Sequence, residues 1–79
     1  MEKYKIIDKE VKGNIFIISD SQYNKLNVTN VTVASRVSAR LYGVIKGKLI
    51  INKGASVYLH GSLEGKLENF GGEIHIFSK

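Results

Sequence analysis

Residues 43–60 read GVIKGKLIINKGASVYLH, and residues 61–78, which follow directly, read GSLEGKLENFGGEIHIFS. Both stretches begin with the pattern G-x-[I/L]-x-G-K-L, and they match at a spacing of eighteen with one residue deleted near Gly71. A fixed period of this length is typical of repeat folds in which each copy stacks on the next. The pair therefore predicts a stacked architecture for the second half of the chain.

Apolar residues inside each copy recur at every second position, which indicates strands and not helices. Val31 and Val33 precede Leu49 and Ile51 by eighteen, so an earlier and more divergent copy begins near residue 26. The alternation predicts that one set of side chains points inward and forms the core: Val31, Val33, Ala39, Leu41, Leu49, Ile51, Val57, Leu59, Leu67, Ile74 and Ile76. Stacked copies then place like side chains about 4.8 Å apart.

The period predicts an all-β fold, a single-domain parallel β-solenoid (β-helix) over residues 1–79, with about three to four coils of 17–18 residues. Three coils are assigned to residues 26–42, 43–60 and 61–79. The alternative is an antiparallel meander that closes as a sandwich or barrel, with turns near the glycines. A meander explains the strands but not the fixed period, so the solenoid is favoured.

The N-terminal third follows the repeat less closely. A first coil over residues 13–25 is predicted because Ile15 lies eighteen before Val33 and Tyr23 eighteen before Leu41. Residues 1–12 are charged but contain apolar side chains, and we expect them to fold across the open end as an N-terminal cap.

The same alternation leaves two outward columns on one face of the last coils. They are Arg40, Tyr58 and His75, and beside them Tyr42, His60 and Phe77. Aromatic and arginine side chains are favoured in protein interfaces, so this set is the candidate partner-binding surface. Two other interpretations remain: stacking that only stabilises the sheet, and, ranked below both, a platform for nucleic-acid bases.

The last coil ends in an edge strand that carries Ile74, Ile76 and Phe77. An exposed strand edge is a template for pairing with another chain. These three residues are the candidate self-association site, and a homodimer through the C-terminal coil is expected.

Composition narrows the function further. Twelve basic and seven acidic residues give a net charge of +5, which favours acidic partners or nucleic acid. Cysteine is absent, two histidines are too few for a metal site, and no paired acid and base suggests catalysis. The N-terminus lacks the apolar core of a signal peptide and no segment is long enough to span a membrane, so a cytoplasmic protein without cofactor or membrane contact is expected.

Residues 43–49 (GVIKGKL) and 61–67 (GSLEGKL) resemble the glycine and aliphatic repeats of bactofilins, bacterial proteins that build filaments from short β-solenoids stacked end to end. The resemblance covers residues 43–77 and implies self-assembly. Two functions are therefore expected from the sequence. The first is a non-enzymatic protein-binding module of the immunity or inhibitor type, and the alternative is a bactofilin-like structural scaffold.

Overall fold

The computed structural model describes residues 4–77, which form seven β-strands and no helix, so none of them belongs to a helix that could cross a membrane. The strands are β1 (Lys5–Ile17), β2 (Ser21–Val33), β3 (Ser38–Ile45), β4 (Lys48–Ile51), β5 (Ser56–Leu63), β6 (Lys66–Asn69) and β7 (Glu73–Phe77). Every strand pair is parallel. The fold is a parallel β-solenoid of about four turns, as predicted.

The sheet winds around the core because long strands bend and pair with two partners. The first part of β2 pairs with β3, whereas its last residues, Val31–Val33, pair with β4. Pairing then continues from β3 to β5 to β7 on one side, and from β4 to β6 on another. Like positions of successive turns therefore lie directly above one another.

The register confirms the period. Ala39 pairs with Val57 at a spacing of eighteen, and Val57 pairs with Ile74 at seventeen because of the deletion. Leu49 pairs with Leu67 on the neighbouring side, also at eighteen.

The predicted N-terminal boundaries are wrong. Residues 5–12 do not fold across the end, because they belong to β1, which pairs in parallel with β2 and forms the first turn. Tyr23 pairs with Leu41 as predicted, but Ile15 pairs with Val31 and not with Val33. The first turn is shorter than eighteen residues: Lys5 pairs with Ser21 at a spacing of sixteen, and after a register shift Val11 pairs with Leu26 at fifteen. Residues 1–3 of the expected cap lie outside the described residues.

The interior is a set of stacked aliphatic columns. The eight predicted inward residues from Val31 to Leu59 are all fully buried, and Ile17, Val28 and Ile45 join them. Leu67 and Ile76 stand in the same inward columns but are 40% and 48% exposed. They are exposed because no strand of residues 4–77 pairs with the outer edges of β6 and β7. The C-terminal end of the described solenoid is therefore an open, partly apolar surface.

The glycines at two corners let successive turns approach closely. A Cβ added to Gly61 would lie 1.9 Å from the carbonyl oxygen of Gly43, and one added to Gly65 would lie 2.0 Å from that of Gly47. No side chain fits at these distances, so the repeated glycines follow from the spacing of the turns.

A third corner is built from tight turns. The Val37 amide donates to the Ala34 carbonyl, and one turn later the Ala55 amide donates to the Asn52 carbonyl. The third residue of each turn has a positive φ, and these residues are Arg36 (62°) and Gly54 (80°). Arg36 is the one non-glycine residue of the described chain with such a φ.

Candidate partner-binding groove

The predicted outward columns exist with the predicted register. Arg40 pairs with Tyr58 and Tyr58 with His75, while Tyr42 pairs with His60 and His60 with Phe77. The side chains point away from the core because they alternate with buried residues such as Leu41 and Leu59. The three strands β3, β5 and β7 thus present one face.

The aromatic side chains of this face form two stacked ladders. Tyr42 and His60 have ring centroids 4.4 Å apart at an interplanar angle of 6°, and His60 and Phe77 follow at 4.6 Å and 13°. In the neighbouring column, Tyr58 and His75 stack at 5.1 Å and 7°. Each such contact contributes about 0.5–1.5 kcal/mol. The ladders therefore stabilise the sheet and hold their rings in fixed positions.

Tyr4 is part of this face, although it was expected to belong to a cap. The Arg40 guanidinium carbon lies 4.2 Å from the centre of the Tyr4 ring, a cation–π contact that spans two turns. The Tyr4 hydroxyl forms a hydrogen bond with the Ser38 hydroxyl, and the Ser38 amide donates to Asp20 Oδ1 at 2.9 Å. These contacts fix the position of the Arg40 head group.

The period gave no signal for Tyr4 because the first turn is shorter than the others. Alternation alone would have placed it correctly. Ile7 is half-buried and faces inward, so the alternation places Ile6 and Tyr4 on the outward side of the strand.

The face is concave. A groove of about 380 Å³ is lined by Tyr4, Arg40, Tyr42, Tyr58, His60 and Phe77. Five of the six predicted partner-binding residues thus come together in one depression. His75 does not line it and instead stacks on Tyr58, which does.

The groove carries hydrogen-bond donors and the positive charge of Arg40. Within residues 4–77, no carboxylate lies within 4.0 Å of the Arg40 guanidinium. The nearby carboxylate of Glu73 contacts His75, with 3.7 Å between Glu73 Oε1 and His75 Nε2. An anionic group in the groove would therefore meet the Arg40 guanidinium without competition from a carboxylate of these residues.

The predicted self-association residues lie at the open end. Ile74 is half-buried against the core, while Ile76 and Phe77 are 48% and 50% exposed. Leu67 and Phe70, which is 62% exposed, extend the same apolar end and were not predicted as part of it. Phe77 belongs to both the groove and this end.

Both histidine rings stack on neighbouring aromatic rings. His60 lies between Tyr42 and Phe77, and His75 lies on Tyr58. Across the described part of the chain, no three His, Cys, Asp or Glu side chains are grouped as a metal site would need.

No family model, curated protein or solved structure matches this chain. The resemblance of the glycine repeats to bactofilins therefore stays a hypothesis.

Proposed function

We propose that this protein is a non-enzymatic binding module that presents its groove to another protein, in the manner of an immunity or inhibitor protein. The observation that carries the proposal is the convergence in one depression of four aromatic rings, an imidazole and an arginine that no carboxylate of residues 4–77 contacts. Tyrosine and arginine are the residue types that most often dominate binding energy in protein interfaces.

The rigidity of the groove supports the same proposal. Ordering flexible side chains on binding costs about 0.5–1.5 kcal/mol for each one immobilised. Here Tyr42, His60 and Phe77 are held by stacking and Arg40 by Tyr4, before any partner arrives. A partner would bind this surface with little of that entropy cost.

Site-specific photo-crosslinking in the organism that carries the gene tests the proposal. A benzoylphenylalanine replaces Tyr58 in the groove or, as a matched control, Ile50, which is also half-buried and outward but lies on another side of the solenoid. We expect a discrete adduct with a second protein from position 58 and none from position 50. The same bands from both positions, or no adduct from 58, would count against a binding groove.

Self-association through the C-terminal end is the second candidate function. The outer edges of β6 and β7 are unpaired within residues 4–77, and the exposed side chains of Leu67, Phe70 and Ile76 surround them. A second copy would cover both the apolar surface and the strand edges. A closed contact gives a homodimer, and an open one gives the filaments that the bactofilin resemblance implies.

The oligomeric state tests this candidate directly. Light scattering at high concentration should show a dimer, or negative-stain microscopy should show filaments. Ile76→Lys should abolish either assembly. Ile18→Lys is the matched control for the dimer, since Ile18 is 77% exposed but lies in the first turn, away from the C-terminal end. A monomeric wild-type protein, or an assembly that Ile76→Lys leaves intact, would exclude self-association by this end.

A further inference from the structure

The charges of this protein are segregated along the solenoid axis. All seven acidic residues belong to the first twenty residues or to the last nineteen. Residues 21–60, the two central turns, contain none, and their basic residues are Lys25, Arg36, Arg40, Lys46, Lys48 and Lys53. The middle of the molecule is therefore a basic belt, although both ends carry acidic side chains.

Four of the six residues that line the groove belong to these central turns, and all four can donate hydrogen bonds: Arg40, Tyr42, Tyr58 and His60. Arg40 is the cation in its lining, and one face of its guanidinium is covered by the Tyr4 ring. The edges of a guanidinium carry its N–H groups, which match a carboxylate in a two-pronged hydrogen bond. The hydroxyls of Tyr42 and Tyr58 add further donors, and among residues 4–77 no acidic side chain lines the groove. The lining is thus suited to a ligand rich in anionic acceptors.

The ladders also decide which part of each ring a partner can reach. Nearly parallel rings in direct contact cover one another's faces, and they leave their electropositive edges toward the groove. Proteins that bind single-stranded nucleic acid rely on open aromatic faces, on which the bases stack. In this ladder both faces of His60 are covered, by Tyr42 on one side and by Phe77 on the other.

We infer that the partner of the groove is an acidic segment of a protein, whose carboxylate binds the Arg40 guanidinium. The partner is not a nucleic-acid strand stacked on the rings. This inference rests on the proposed function and specifies the chemistry of the partner. The basic belt attracts the segment, the guanidinium receives its carboxylate, and the ring edges line the remaining contact.

Fluorescence anisotropy with two labelled polymers tests the inference. The first is a random copolymer of glutamate and tyrosine, and the second is an oligodeoxythymidine of similar charge. Arg40→Gln and Lys46→Gln remove the same charge from the belt, but Lys46 lies at the corner between β3 and β4, outside the groove lining. We expect Arg40→Gln to weaken copolymer binding about tenfold and Lys46→Gln about twofold or less. Oligodeoxythymidine should bind more weakly and respond equally to both substitutions.

Failure of the inference is distinguishable from failure of the groove itself. No copolymer binding, equal losses in the two variants, or tight oligodeoxythymidine binding that depends on Arg40 would each overturn an acidic partner. The photo-crosslinked adduct at position 58 provides the independent readout. If that adduct persists in Arg40→Gln and in high salt, the groove binds a protein but not through an acidic segment.

Discussion

Replacing Gly65 by alanine should break the stacking of turns at one corner. The new Cβ would lie 2.0 Å from the Gly47 carbonyl oxygen, whereas ordinary contact begins at 3.4 Å, so the two turns must separate locally by about 1.4 Å. That same oxygen accepts a hydrogen bond from the Lys66 amide at 3.0 Å, which the movement would lengthen. Overpacking of this kind costs about 1–3 kcal/mol and a lost backbone hydrogen bond about 1 kcal/mol more. We therefore expect a loss of about 3 kcal/mol, a large part of the stability of a small domain.

Gly13→Ala is the matched control, because it tests conformation without crowding. Gly13 has φ +88°, but a Cβ there would meet no atom within 4 Å. Alanine in this left-handed region costs about 1–2 kcal/mol, partly offset by the smaller entropy of its unfolded chain, so a net loss of about 1 kcal/mol is expected. Urea unfolding followed by circular dichroism measures both. Equal losses, or a Gly65→Ala variant as stable as wild type, would refute the close approach of the turns.

Three further outcomes follow from individual residues. Arg36→Gly should raise the free energy of unfolding by about 0.5 kcal/mol, because glycine adopts the positive φ at this position with less strain than arginine. Urea midpoints measure the change. A destabilised variant would show that packing of the arginine side chain contributes more than the backbone strain costs. Burial raises the pKa of Tyr23, so its stabilising contribution is complete below pH 10 and is lost as the pH rises through the folded-state pKa. The urea midpoint of wild type should consequently fall more between pH 9 and pH 11 than that of Tyr23→Phe, and identical slopes would contradict this. Tyr4→Leu should weaken copolymer binding by a smaller factor than Arg40→Gln, since it removes the ring that contacts the guanidinium but not the positive charge. Fluorescence anisotropy measures the difference. Unchanged binding would mean that Tyr4 does not position Arg40.

The period of eighteen was sufficient to predict most of the fold because stacked turns repeat like residues at like places. Val31, Leu49 and Leu67 share one inward column, which both the spacing of eighteen and the alternation of apolar residues predict. The same rule could not place the first turn, whose residues pair with β2 at spacings of sixteen (Lys5 with Ser21) and fifteen (Val11 with Leu26), with register shifts between these stretches. Irregularities of this kind depend on local backbone geometry, which a periodic pattern does not encode.

The outward face was predictable to the same extent and for the same reason. Register alone placed Tyr42, His60 and Phe77 in one column, and their ring stacking follows from the distance between turns. What alternation could not supply was the concavity or the contact of Tyr4 with Arg40, since that contact joins turns that are not adjacent. Long-range side-chain contacts of this type depend on rotamers, not on spacing.

The most direct test of the binding groove compares affinity with stability in Tyr58→Ala, using the partner captured by crosslinking. Ile50→Ala is the control, because Ile50 is also half-buried and outward but lies on another side of the solenoid. We expect Tyr58→Ala to weaken binding by at least about tenfold, the effect of an interface hot spot, while its melting temperature falls no more than that of Ile50→Ala. Ile50→Ala should leave the affinity unchanged. A Tyr58→Ala variant with a lowered melting temperature and unchanged affinity would show that the aromatic face only stabilises the sheet.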